Sequence, residues 1–274
     1  MEESKTKTLT TRLVVGFSLG GVFLGSLVTP VLFVLLVAVA VAWATRELAT
    51  AMRSSGWHVP RIPAAIAAFV LPFATFFYGP QGQWLTVFAA VGLMVGWRWV
   101  FLMFAKTSQG LKASLRDFGA SAFVIIYVPL LLSFAVLLIN RPNGTAWVFG
   151  MVLTVVAIDS FGYLVGRVWG RTKLSPEISP KKSWEGLLAS IVGAMFGGVV
   201  TALLVGGSVW FGLLFGSALL VSSVMGDLSE SLIKRDLEVK DMGDVLPGHG
   251  GMMDRLDSLL PSAFVAYLLS HVLF

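Results

Sequence analysis

The chain has 274 residues, 56% hydrophobic and 13% charged, with a net charge of +5 and a mean hydropathy of +0.84. An ordinary soluble domain carries about 25% charged residues, so the composition excludes one and points to an integral membrane protein with several spans of about 20 residues each. The absence of cysteine excludes disulfides, thiolate nucleophiles and Cys-bound metals, and His58, His249 and His271 are too scattered for a local histidine metal motif. Any metal site must therefore lean on carboxylates, which favours magnesium, calcium or manganese.

The first apolar run, from Leu13 to about Ala44, is too long for a cleaved signal and reads as two spans joined near Pro30. Apolar windows then give nine helices, at about 13–28, 30–48, 63–79, 84–104, 118–139, 146–166, 187–206, 208–226 and 257–273. Short uncharged connections alternate with long basic ones. With the amino terminus inside, nineteen of the twenty Lys and Arg residues fall on one side and only Arg141 falls outside. The expected fold class is all-α, a polytopic membrane protein with a cytoplasmic amino-terminal tail (1–12) and a single transmembrane domain (13–274). Glycines at four-residue spacing, Gly162/Gly166/Gly170 and Gly193/Gly197, read as close helix contacts.

Polar chemistry concentrates in the second half of the chain. Asp159 lies about seven residues inside the sixth span, roughly 10 Å into the bilayer at 1.5 Å per residue. A buried acid there needs a partner such as Arg98 or Arg167, or a polar cavity. Pro176 and Pro180 forbid a continuous helix in the loop 167–186, so the chain reaches Lys181, Lys182, Ser183, Trp184 and Glu185 extended or turned. The two lysines and the hydroxyl suit a phosphate, Trp184 suits the interface or a base, and Ser183 equally suits the N-cap of the seventh helix. If the eighth helix continues beyond its span, Asp227, Glu230, Ser231 and Lys234 share one face. The segment 240–251 is too rich in Gly and Pro to be helical, and it leads to Asp254, Arg255 and Asp257 at the start of the ninth helix. Carboxylates for a divalent cation, with Lys and Arg for phosphates, form a kit for phosphoryl or nucleotidyl transfer.

The 27-residue segment 231–257 holds Ser231, Lys234-Arg235, Lys240-Asp241, Gly243, Pro247, His249-Gly250-Gly251 and Asp254-Arg255-x-Asp257. This pattern resembles the signature of the phosphatidate cytidylyltransferases, also called CDP-diacylglycerol synthases. Ser179–Gly186 and Asp159-Ser-x-x-Tyr163 are similar to that family's other motifs in the expected order, with Gly162 where the family is expected to carry Ala. The motif-bearing likeness covers about residues 155–260. It implies transfer of CMP from CTP to phosphatidate at the cytoplasmic face of the cell membrane, giving CDP-diacylglycerol and pyrophosphate in phospholipid biosynthesis. Magnesium is the implied cofactor, with a second cation left open.

By matched position, the resemblance implies catalytic roles for Asp227, Asp254, Lys234 and Arg255. Metal ligation falls to Asp227 and Asp254, with Asp257 and Asp159 as further candidates. Substrate binding falls to Lys181, Lys182, Ser183, Trp184, Glu185, Arg235, Lys240, Asp241, His249, Gly250 and Gly251. The expected partners are CTP, phosphatidate, membrane lipids and a second copy of the chain in a homodimer, with no nucleic acid. Two rivals remain: a related CTP-dependent enzyme acting on a different lipid phosphate or a lipid-alcohol kinase using CTP, and an ion-coupled transporter with Asp159 in its pathway. The lack of visible repeats and the clustering of polar residues in two same-side loops weigh against the transporter.

Overall fold

The computed structural model describes residues 2–104, 113–245 and 250–273, with side chains described for 14–104, 113–245 and 250–272. Lys106, Lys112 and His249 lie outside the described residues. Among the described residues the regular structure is helical apart from one small hairpin, and six helices are long and apolar enough to cross a membrane. It divides into two compact units, residues 1–136 with 237–255, and residues 137–236 with 256–274.

The first unit holds α1 (Glu2–Ser26), α2 (Pro30–Ser54), α3 (Arg61–Phe104) and α4 (Ser114–Ile125). Thr29 caps α2 by accepting a hydrogen bond from the Leu32 amide at 3.4 Å, and Pro30 sits at the first helical position, where no amide partner is needed. Val34, Val37, Ala38, Val41, Ala44 and Leu48 recur at three- and four-residue intervals and are buried, while Leu32, Leu35, Val39 and Trp43 on other faces are exposed. Such an apolar exterior fits lipid. The expected spans 63–79 and 84–104 fall within α3, where Gly79 (φ 60°, ψ −148°) breaks the helical backbone. A methyl group on Gly82 would lie 2.9 Å from the Ala74 carbonyl carbon. Eight residues of straight helix would separate those positions by about 12 Å, so the chain doubles back at Gly79 and the two windows are separate arms. After α4, a π-turn (Ile126–Leu130) accommodates Pro129, which has no amide to donate, and α5 (Leu131–Ile139) continues the span.

One polar knot lies inside this unit. Asp117, almost fully buried, receives the Arg98 guanidinium at 2.7 Å, Arg116 at 3.2 Å and the His58 amide at 3.0 Å. Arg98, one of the arginines suggested as a partner for Asp159, thus pairs with Asp117. Three donors converging on one carboxylate offset the cost of removing it from water.

The second unit holds α6 (Gly144–Trp169), β1 (Lys173–Ser175), β2 (Ser179–Ser183), α7 (Trp184–Val205), α8 (Val209–Asp236) and α10 (Leu259–Leu273), which follows the four-residue α9 (Met253–Leu256). Trp147 is completely buried, with its ring 5.9 Å from those of Phe211 and Phe215. The expected glycine contacts form between α6 and α7. A methyl on Gly193 would meet the Ala157 carbonyl at 2.5 Å, and one on Gly197 would meet Thr154 Cα at 2.6 Å. At this approach the Thr154 and Thr201 hydroxyls come within 3.2 Å, so small residues and hydroxyls together join the pair. The ninth window begins later than expected. Asp254 and Arg255 lie on α9, and a turn at 257–258 separates it from α10.

Candidate active site

In the second unit, β1 and β2 pair antiparallel, which gives the proline-interrupted loop an extended form. At the end of β2, Ser183 turns the chain into α7, accepting the Gly186 amide at 3.2 Å as the N-cap. Its oxygen thus serves the helix start, while the O–H is still a donor. Glu185 accepts the Thr172 amide at 3.1 Å, tying α7 to the base of the hairpin, and the Trp184 ring is half exposed.

Lys182 leaves β2 to meet Asp227 of α8 at 2.7 Å. Both side chains are partly exposed, so the pair is worth about 1 kcal/mol or less and is readily exchanged for other charges. The eighth helix does continue beyond the apolar window, to Asp236. One turn after Asp227, Ser231 donates to it at 3.4 Å, and Lys234 pairs with the nearly fully buried Glu230. Arg235 lies on the exposed side, with its Nε 3.4 Å from the Ile178 carbonyl oxygen in the hairpin.

The third acid of this unit is Asp257, in the turn before α10. A methyl on Gly226 would lie 2.8 Å from Pro261 and against the Asp257 carbonyl, so the bare glycine lets that turn approach α8 one residue before Asp227. Asp257 accepts the Ser258 amide at 2.7 Å. Burial pushes its carboxyl up to about 7, and the charges of Asp227 and Asp159 add to the rise. Those charges mark Asp159, Asp227 and Asp257 as electrostatic neighbours. Among the described residues, however, no three carboxylate or histidine groups are gathered closely enough to hold a metal ion. Arg167, the other suggested partner for Asp159, has its guanidinium 3.2 Å from the Tyr163 hydroxyl.

In the first unit, the motif segment folds around two carboxylates. Asp254 accepts the Gly251 amide at 2.7 Å and the Met242 amide at 3.2 Å through the same oxygen, Oδ2. Gly250, at φ 81°, takes a left-handed conformation beside it. The second carboxylate, Glu47 of α2, is buried and accepts the Met253 amide at 2.9 Å through Oε2. Lys240, Asp241 and Arg255 are exposed on this segment.

The sequence reading passed over Glu47. Its signal was an acid near the inner end of the second apolar window, in Ala44-Thr-Arg-Glu47, where a solvent-facing charge was equally reasonable. The structure thus gathers Lys182, Asp227, Asp257 and Asp159 in one unit, and Gly250, Gly251 and Asp254 in the other.

Six helices long and apolar enough to cross a membrane, with carboxylates beside lysines in one unit and a glycine-rich segment on two carboxylates in the other, define a membrane-protein class with concentrated polar chemistry. The chain belongs to the Cytidylyltransferase family, whose sequence profile matches residues 10–273. Its relatives include the phosphatidate cytidylyltransferase of Mycobacterium bovis, 39% identical over 97% of this chain and 90% of the relative. The Mycobacterium leprae phosphatidate cytidylyltransferase is 39% identical over 97% of this chain and 89% of its own length. The chloroplastic phosphatidate cytidylyltransferase 5 of Arabidopsis thaliana is 31% identical over 95% of this chain and 70% of its own length.

Proposed function

We infer that this protein is a phosphatidate cytidylyltransferase, producing CDP-diacylglycerol and pyrophosphate from CTP and phosphatidate in phospholipid biosynthesis. The observation that carries the reading is the 39% identity to proteins of that name across 97% of the chain, which includes every motif in 155–260.

A phosphate oxygen of phosphatidate attacks the α-phosphorus of CTP, a new P–O–P bond forms, and the bond to the β-phosphate breaks to release pyrophosphate. The nucleophile is already ionised near neutral pH, so no general base is required. Both reactants are anions, and catalysis rests on positioning and neutralising charge. In this reading Lys181, Lys182, Lys234, Arg235, Lys240 and Arg255 bind the phosphates. Lys182, held by Asp227 in a weak ion pair, is able to exchange that partner for a phosphate. Ser183, Glu185 and Asp241 shape the substrate site, Trp184 packs at the lipid interface or on the base, Gly250 and Gly251 present backbone to an anion, and His249 orients a phosphate as a hydrogen-bond donor.

Magnesium suits the donors, since hard cations prefer carboxylate oxygen, and a buried acid raised by two acidic neighbours is a place where added positive charge is favourable. Asp227, Asp257 and Asp159 are the candidate ligands in one unit and Asp254 in the other. No three described carboxylates are drawn together, so one or two of them would hold the ion, with substrate phosphate oxygens completing its coordination. A second cation is part of the proposal. Bound magnesium supplies charge neutralisation at the phosphates. The same reading includes nine crossings of the cell membrane, the amino terminus and motif loops in the cytoplasm, and a homodimer among membrane lipids.

The test is an assay of purified protein with CTP labelled at the α- or the γ-phosphate, across a panel of lipids, with magnesium or EDTA. The expected result is α-label in lipid with phosphatidate alone and only with magnesium. Transfer of γ-label to a lipid alcohol would overturn the reading in favour of a kinase.

A further inference from the structure

Gly243 and Gly251 are eight residues apart, and both press on one side chain. A methyl built on Gly251 would lie 2.6 Å from Glu47 Oε2, and one on Gly243 would lie 2.6 Å from Glu47 Cδ. That methyl on Gly251 would also come within 2.8 Å of the Gly243 amide nitrogen, so the two stretches of the motif segment touch each other where they touch Glu47. Between them, the Met253 amide donates to Glu47 Oε2 at 2.9 Å, across 206 residues of sequence. Met253 immediately precedes Asp254, whose Oδ2 accepts from Gly251 and from Met242. The Glu47 side chain is 7% exposed, and it rises from a helix packed along its length.

We propose that Glu47 is a positioning residue for the cytidylyl transfer: its carboxylate fixes the backbone at Gly243, Gly251 and Met253, and through it the direction of the Asp254 carboxylate. The reasoning is steric as well as electrostatic. Only glycine at 243 and 251 lets two stretches of backbone close on a carboxylate, and an amide–carboxylate hydrogen bond is stronger than a neutral one. The inference rests on the cytidylyltransferase reading for its activity assay, whereas its exchange readout stands without that assay.

The experiment compares wild type with Glu47→Gln, Glu47→Ala and Gly251→Ala, purified in detergent. Glu47→Gln keeps the shape and one acceptor; Glu47→Ala removes both; Gly251→Ala pushes the loop off Glu47 without altering α2. The expected result is a kcat about 10-fold lower for Gln and about 100-fold lower for the other two, with KM for CTP within about threefold of wild type. These are the consequences of a misaligned rather than missing group. Amide hydrogen exchange should quicken at Met242, Gly251 and Met253 while α2 and α3 stay protected. Wild-type kcat in Glu47→Ala overturns the proposal. So does an exchange increase spread evenly through α2 and α3, which would make Glu47 a residue of helix packing only. If Glu47→Ala fails to fold, Gly251→Ala and Glu47→Gln decide by the same measures. Inactive wild-type protein with local exchange changes in the variants would sink the cytidylyltransferase reading and leave the loop-holding role of Glu47 standing.

Discussion

Asp257 is held between opposed demands, because burial and two acidic neighbours oppose its ionisation while Lys234 and the Ser258 amide favour it. The folded carboxyl titrates near 7 against an ordinary 3.8. Between those values the folded chain retains a proton that the unfolded chain has released, so stability without divalent cations falls as pH rises from about 4 to about 7. Thermal melting in EDTA across that range should show the slope, and Asp257→Asn should flatten it. Asp227 differs in being the Lys182 partner. Asp227→Asn is expected to lower turnover at least about 100-fold, as loss of a charge-organising group at phosphoryl transfer does, with the melting temperature changed by only a few degrees. Turnover near wild type in that variant would remove Asp227 from the catalytic set. Asp254→Asn should also abolish turnover while the loop keeps its order, because the remaining amide oxygen can accept both backbone amides that Oδ2 receives. Arg53, exposed and outside the motifs, should tolerate alanine with little loss.

At the scale of elements, the contact between α6 and α7 depends on missing side chains. Gly197→Ala would place a methyl 2.6 Å from Thr154 Cα, backbone that has no rotamer by which to move aside. Overpacking of this kind costs about 1–3 kcal/mol. Gly92 in α3 has nothing within 4 Å of the same added methyl, and Gly92→Ala should be neutral or stabilise by up to about 1 kcal/mol through helix propensity. Denaturation of the two variants in one detergent should therefore give shifts of opposite sign or very different size. The continuation of α8 beyond its apolar window was legible, since Asp227, Glu230, Ser231 and Lys234 follow helical spacing. So were the extended backbone before Lys181, from its prolines, and the cap at Ser183. The break between α9 and α10 was not. Asp254, Arg255 and Asp257 look alike as helix-start charges, and only packing divides them between two elements.

Across the whole molecule, the cytoplasmic side is testable because the chain contains no cysteine. A single cysteine at Glu177 or Asp244 should react with an impermeant maleimide only from the cytoplasmic face, and one at Asn143 only from the opposite face. The reverse pattern would invert the proposed topology. By itself, the sequence determined the membrane class, the helical windows and the residue types of the chemistry, because hydropathy, charge asymmetry and motif spacing are local or additive quantities. The tertiary structure decided which charges meet. Glu47 finds Met253 across 206 residues, Arg98 takes Asp117, and Lys182 takes Asp227. It also divided the motif segment, with Asp254 in one compact unit and Asp257 in the other. No periodicity encodes such pairings. They arise where packed helices bring distant backbone and side chains within hydrogen-bonding reach, and a buried charge takes the partner that the packing presents.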